Sequence, residues 1–254
     1  MKEIINKYFL EEDKIQALNL YEKYMLAKNK DITIFSNCFY SPKIWKWFKK
    51  NCESSDFKVT CEGIFKDSER KMISFNNVYE TSFPIRLLKV EGKSKFSKLE
   101  HKDFLGGILS LGIERNKIGD LIVEDNVCYL PIHEDILNFL LYNVDKIGKT
   151  PCCITEIQNK GDLPQIKFKE EVILVSSLRI DGIVSKISKL SRAKAQMVID
   201  QGQVLIDYTK IKDKSYEVKR DERIIIRGTG KFIVGEVIGS SKSGKYKLII
   251  KKYT

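Results

Sequence analysis

Between residues 84 and 157 the apolar residues switch repeatedly between strand and helix periods, and their order restricts the fold more than any other feature of the chain. Residues 84–90 form an apolar run of buried-strand type. Residues 103–113 then read as a helix with Phe104, Leu105, Ile108, Leu109 and Leu111 on its core face and Gly112 as a stop. Residues 120–124 and 127–132 read as two strands joined by the tight-turn pair Asp125-Asn126. A helix over 134–142 and a strand over 152–157 complete the series. The order β-α-β-β-α-β is that of a ferredoxin-like sheet, shared by many RNA-recognition domains. Those domains stack bases on sheet aromatics in a K/R-G-F/Y-G/A-F-V-x-F/Y run. That run is absent here, and Cys128-Tyr129 supplies one aromatic, so base stacking on this sheet is not expected.

The flanks add two further units. Residues 3–28 carry Leu18, Tyr21, Met25 and Leu26 at helical spacing. A short strand over 32–35 follows, then a helix through Trp45 and Phe48 that opens on Pro42, a residue suited to a first helical turn. Segments 57–65 and 71–75 alternate as a hairpin. This predicts an α+β chain with three domains: a small α/β domain over 1–79, the ferredoxin-like domain over 80–160, and a third over 172–254. The polar segment 158–171, with Gly161 and Pro164, reads as a linker, and 172–175 as a strand docking the third domain onto the second.

Charge separates the third domain from the rest. Residues 177–254 hold 18 Lys+Arg against 8 Asp+Glu, whereas residues 1–176 hold 27 against 26. A near-neutral body with a strongly basic module points to a polyanion, and to nucleic acid first; a merely solvated basic face is the bland alternative. No apolar run is long enough to span a bilayer, and the first residues show no secretory pattern, so the reading is a cytoplasmic monomer. None of the six cysteines forms a CxxC pair, and the two histidines, His101 and His133, are not spaced with them to close a metal site. No metal, cofactor or catalytic residue is expected; the cysteines read as buried reduced thiols.

The basic module has its own local logic. Residues 179–187 read as a short helix, and Ser191 as the N-cap of a second. On that second helix Ala195, Val198, Ile199 and Gly202 make one buried stripe, with Arg192 and Lys194 flanking it and Gly202 ending it. A small sheet follows over 204–206, 224–226, 232–237 and 246–250, with a basic hairpin loop at 239–244. Arg179 and Arg192 can each fork two donors onto phosphate, and Lys194, Lys210, Lys212 and Lys214 add point charge. Asp181 is placed to hold a neighbouring arginine, a structural role shared with Ser191 and Gly202.

These residues resemble the S-four domain, the αL RNA-binding motif, whose pattern is R-L-D, S-R-x-x-A and G-x-V-x-V-N-G. Arg179, Asp181, Ser191, Arg192, Ala195, Gly202 and Val204 match it. Asp207 stands where Asn is usual, Tyr208 where Gly is usual, and Asp221-Glu222 where Gly-Asp usually closes the motif. The whole chain is similar to the YlmH family. That likeness rests on Gly63 and Ser68-Glu69-Arg70-Lys71, on Gly106, Leu111-Gly112-Ile113, Arg115 and Gly119-Asp120-Leu121-Ile122-Val123, on Gly148-Lys149, and on Ser177-Leu178-Arg179 and Arg227-Gly228. The resemblance implies a non-enzymatic RNA-binding protein on the ribosome, near rRNA and with tRNA as a further candidate, in quality control of stalled translation. Arg70, Lys71, Arg115 and Lys117, beside the matched positions, are candidates for auxiliary ribosome contacts.

Two other readings compete. S-four domains occur fused to pseudouridine synthases, methyltransferases and a tRNA synthetase. Here, however, GxGxxG is absent, Gly106-Gly107 falls within a helix, and Asp120 is the one candidate carboxylate. A cell-division or membrane-associated scaffold would use Lys242, Lys245, Lys247, Lys251 and Lys252 on anionic lipid, without an amphipathic helix to support them.

Overall fold

A computed structural model describes residues 1–94, 98–158 and 163–253, with residues 11 and 12 described by backbone alone. Gly161 of the expected linker, and Thr254, lie outside the described residues. The chain divides into two units, Met1–Gln165 and Ile166–Thr254.

The first unit opens with α1 (Lys2–Tyr8) and α2 (Glu11–Lys30), not the single helix expected over 3–28. Phe9 and Leu10 are extended, with φ of −99° and −120°. The cause is Phe9, which is fully buried and meets the Trp47 ring edge-on at 5.5 Å. Burying a phenylalanine is worth about 2–3 kcal/mol. That exceeds the roughly 1 kcal/mol of a helical hydrogen bond forgone at the break. Next come β1 (Ile34–Phe35), α3 (Pro42–Cys52), β2 (Val59–Glu62) and β3 (Met72–Phe75), with sheet order β1-β3-β2. Pro42 opens α3 as expected, and Ile44, Trp47, Phe48 and Cys52 form its buried stripe.

The second sheet of this unit comprises β4 (Ile85–Gly92), β5 (Ile122–Glu124), β6 (Val127–His133), β7 (Lys146–Ile147) and β8 (Thr150–Ile157), with helices α4 (His101–Leu109) and α5 (Leu137–Asn143). Its order is β5-β6-β4-β8-β7, all antiparallel, so the ferredoxin-like arrangement holds with β7 as an added edge. Helix α4 starts ahead of the expected Asp103 because Glu100 and Asp103 form a reciprocal capping box. Asp125 and Asn126 make the two-residue turn with φ of 48° and 66°, as their chemistry demands.

Three features tie the two sheets of the first unit together. Phe39, Met72 and Ile85 share a core cluster with Phe83. Gly119 sits where a Cβ would lie 3.1 Å from both Phe39 and Pro131, so glycine permits the close approach. Asp120, the one carboxylate singled out for catalysis, accepts the backbone amides of Glu69 at 2.6 Å and Arg70 at 2.9 Å through the same oxygen. It braces the junction. Asp120→Ala strands two amides, so the first unit should lose about 1–3 kcal/mol in a denaturant titration.

In the second unit β9 (Phe168–Val175) leads into α6 (Ile180–Ile187), α7 (Arg192–Asp200), β10 (Val204–Ile206), β11 (Thr209–Lys210), β12 (Arg223–Ile226), β13 (Gly230–Ser240) and β14 (Tyr246–Tyr253). The sheet order is β11-β10-β12-β13-β14-β9. The expected linker therefore ends early: 168–171 are strand, and β9 pairs along its length with β14 as an edge of this unit's own sheet. Its polarity is cross-strand chemistry. Glu170 pairs with Lys251 at 3.1 Å, and Phe168 meets Tyr253 at 4.9 Å. The loop expected at 239–244 is also shorter, because β13 reaches Ser240 after two register shifts and the turn closes through Ser241 and Lys245. One face of the sheet buries Val204, Ile224, Phe232, Val234 and Leu248 against Ile180, Ile183, Val184, Ala195 and Ile199 of the two helices. A chain starting at residue 166 should thus fold on its own. One starting at 176 strips β9 from β14 and should show a lower thermal midpoint by circular dichroism.

Candidate nucleic-acid interface

Helices α6 and α7 follow one another across a short turn. Arg179 is the N-cap of α6, and Ser191 caps α7 by accepting the Lys194 amide at 3.3 Å. Between them Ser185 Oγ donates to the Leu190 carbonyl at 2.7 Å and Lys189 adopts φ of 54°. Ala195 and Ile199 are fully buried, and Gly202 ends α7 with φ of +67°, a left-handed residue that few side chains tolerate.

Both helix starts meet at one carboxylate. Asp181 has no exposed side-chain surface, yet each of its oxygens accepts three hydrogen bonds. Oδ1 receives Arg179 Nε at 3.3 Å, Arg192 Nη2 at 3.2 Å and the Gly182 amide at 2.8 Å. Oδ2 receives Arg179 Nη2 at 3.2 Å, Arg192 Nε at 3.0 Å and Gln196 Nε2 at 3.0 Å. Burial alone would raise the Asp181 pKa; the Arg192, Arg179 and Gln196 hydrogen bonds outweigh it and hold the carboxyl well below the usual range. Asp181, expected to pair with one neighbouring arginine, hydrogen-bonds two. Gln196 was not foreseen, although its place one helical turn after Arg192 was a usable signal.

The arginines are accordingly not free forks. Each spends Nε and Nη2 on Asp181, and Nη1 of each makes no hydrogen bond to protein among the described residues, while Arg179 also attracts the Asp213 carboxylate. Two guanidiniums on one carboxylate leave a net positive cluster, with side chains 39% and 58% exposed for Arg179 and Arg192. Each guanidinium keeps three of its five N–H donors for an anion, on a group whose orientation Asp181 fixes. Lys194 is exposed beside them. Lys210 and Lys212 are exposed, and Lys210 passes close to Gly202. Lys214 is paired with Asp200 at 2.8 Å. Arg192 and Lys194 thus lie at the start of α7 and Lys210 and Lys214 at its end, about 12 Å away by helical rise.

The auxiliary candidates have intramolecular work. Arg70 donates to the Phe39 carbonyl at 2.9 Å, and Arg115 to those of Ile118 at 2.7 Å and Gly119 at 3.2 Å. Lys117 pairs with Asp135 at 2.6 Å, and Lys71 lies over the Trp45 ring at 5.1 Å. The six cysteines are free thiols. Burial pushes Cys52 and Cys61 up to about 12, so neither offers a thiolate at neutral pH.

The model for the putative RNA-binding domain in YlmH matches residues 79–161, and the S4 domain model matches residues 178–224. The chain thus carries a match to the RNA-binding domain of YlmH followed by a match to the S4 domain toward the C-terminus. A similar curated protein is the ribosome-associated protein quality control protein P2 of Bacillus subtilis (strain 168). It is 25% identical over 203 residues, covering 78% of this chain and 79% of that protein. Among solved structures, the cell division protein ylmH from Streptococcus pneumoniae covers 61% of this chain and 98% of that one, at 22% identity and a TM-score of 0.49. The S4 match contains Asp181 and all the arginines and helix caps around it.

Because Arg179 and Arg192 share one anion, their effects on stability should not add. Either alanine variant leaves Asp181 one guanidinium and Gln196, so the cost should stay near 1 kcal/mol. The double variant strands a buried charge and should cost several kcal/mol, read by a double-mutant cycle in denaturant. The folded-state pKa of Asp181 is depressed, so its contribution is complete above about pH 4. It should fade as pH falls below that, and Asp181→Asn should remove that acid dependence.

Proposed function

We propose that this YlmH-type protein binds structured RNA through the face carrying Arg179, Arg192 and Lys194, and that it does so on the ribosome, without catalysis, in the handling of stalled translation. The observation that carries this reading is the Asp181 cluster. It engages two of the five N–H donors of each arginine and holds both part-exposed guanidiniums beside one carboxylate, with the other donors of each left for a ligand. The name of the Bacillus subtilis relative supports the ribosomal setting. The neutral first unit would orient the basic one rather than hold RNA by charge. Asp120, braced by two amides, and the buried thiols favour no catalytic role. No helix among the described residues is long and apolar enough to cross a membrane.

Binding to a structured RNA should weaken linearly in log affinity against log salt, by a slope approaching about −0.9 for each phosphate contacted on a duplex. Arg179→Ala and Arg192→Ala should each cost roughly 1–3 kcal/mol of affinity, with Lys restoring part. Residues 166–254 alone should keep RNA affinity but lose co-sedimentation with ribosomes. Salt-independent binding, or equal ribosome occupancy by the basic unit alone, would refute the corresponding half of the proposal.

A further inference from the structure

The turn between β10 and β11 consists of Asp207 and Tyr208, both in the left-handed region with φ of 43° and 67°. Two-residue turns of this kind favour Asn-Gly, because a glycine carries no Cβ to strain. Asp207 has a local reason to be there, since its carboxylate accepts the Arg223 amide at 3.1 Å. Tyr208 gains nothing from the turn itself. Its ring lies 5.4 Å from Lys231 Nζ, and its hydroxyl is 3.1 Å from the same nitrogen. Lys231 Nζ also sits 4.9 Å over the Tyr253 ring, and Tyr253 meets Phe168 edge-on at 4.9 Å.

Strand register sets out part of this strip, and Lys231 links Tyr208 of the turn and Tyr253 of β14 to it. Leu205 pairs with Ile225, Ile225 with Lys231, and Tyr253 with Phe168. These positions alternate with the buried Ile224, Phe232 and Ile250, so the row runs across the sheet face turned away from α6 and α7. Tyr208, Lys231, Tyr253 and Phe168 are all half-buried, leaving part of each side chain in reach of solvent. The next row of the face holds Arg223, Ile233, Lys251 and Glu170, and Glu170 is paired with Lys251. The strip therefore sets three aromatic rings and Lys231 beside the aliphatic Leu205 and Ile225, and it begins at the hairpin of the S4 domain.

We infer that this strip is a stacking platform for unpaired RNA bases, separate from the phosphate-facing arginines. Aromatic rings in a row, set among cations, are what sequence-tolerant binding of single-stranded RNA uses. A lysine set against two tyrosine rings suits a polyanion with planar bases better than a protein partner. The inference rests on the RNA-binding proposal above and adds the part of the RNA that the second face would hold.

The full-length protein is tested with a short hairpin RNA carrying a single-stranded extension labelled with 2-aminopurine, and with the same stem made blunt. The parent should prefer the extended RNA and quench the 2-aminopurine. Tyr208→Gly relaxes the turn, so its thermal midpoint should equal or exceed the parent's. It should nonetheless lose roughly tenfold in affinity for the extended RNA, the weight of one base stack, and lose the quench. Its affinity for the blunt stem should be unchanged. Tyr253→Leu should act in the same direction, and Tyr208→Phe should keep the quench. A parent that binds both RNAs equally, or variants that bind the extension like the parent, overturn the inference. So does a lowered midpoint for Tyr208→Gly, which would make the ring a brace. A parent that binds neither RNA instead defeats the RNA-binding proposal.

Discussion

A single buried carboxylate organises the basic unit. Asp181 is withdrawn from water, which is costly for an anion unless every lone pair finds a donor. Here both oxygens are saturated by three donors each, drawn from α6, from the start of α7 and from Gln196 one turn further on. The cluster therefore does two things at once. It pins the two short helices, neither long enough to be stable alone, at a fixed angle. It also holds two guanidiniums side by side that would otherwise repel each other. Pre-orientation removes much of the side-chain entropy that an anion would have to overcome on binding. The two alanine variants and the carboxamide variant separate these roles because they disturb charge and support in different proportions.

The first unit follows another principle. Its two sheets are joined by an apolar cluster at Phe39, a close glycine contact and one carboxylate on two amides. Such a junction makes a block rather than a hinge. The four cations that looked available for outside contacts are largely consumed in building it: Arg70 and Arg115 donate to carbonyls at the seam, and Lys117 is paired. A near-neutral, tightly knit body suits orientation by shape, while the basic unit would supply the electrostatic attraction.

The basic unit presents two chemically distinct faces. The helical face offers guanidinium donors suited to phosphate. The opposite sheet face offers tyrosines bridged by Lys231, beginning at a turn where the chain accepts strain at Tyr208. Together they would let one small domain grip a helical stem and the unpaired nucleotides beside it, with specificity for RNA shape rather than for sequence.

Much of this was legible in the residues. The αβ order of the ferredoxin-like sheet, the Asp125-Asn126 turn, the Pro42 and Ser191 helix starts and the Gly202 stop are decided within a few residues of chain, so period and capping chemistry determined them. Net charge by segment likewise needed no structure. What tertiary structure alone decided are the events that join distant positions. Phe9 leaves its helix because Trp47, far along the chain, offers a better environment. Residues 168–171 become strand because β14 supplies partners for their charges and ring. Gln196 and both arginines meet Asp181 because the fold closes on it, and Tyr208 finds Lys231 and, through it, Tyr253 only across strands. Local sequence sets which conformations are cheap; long-range burial and pairing, each worth as much as those local preferences, choose among them.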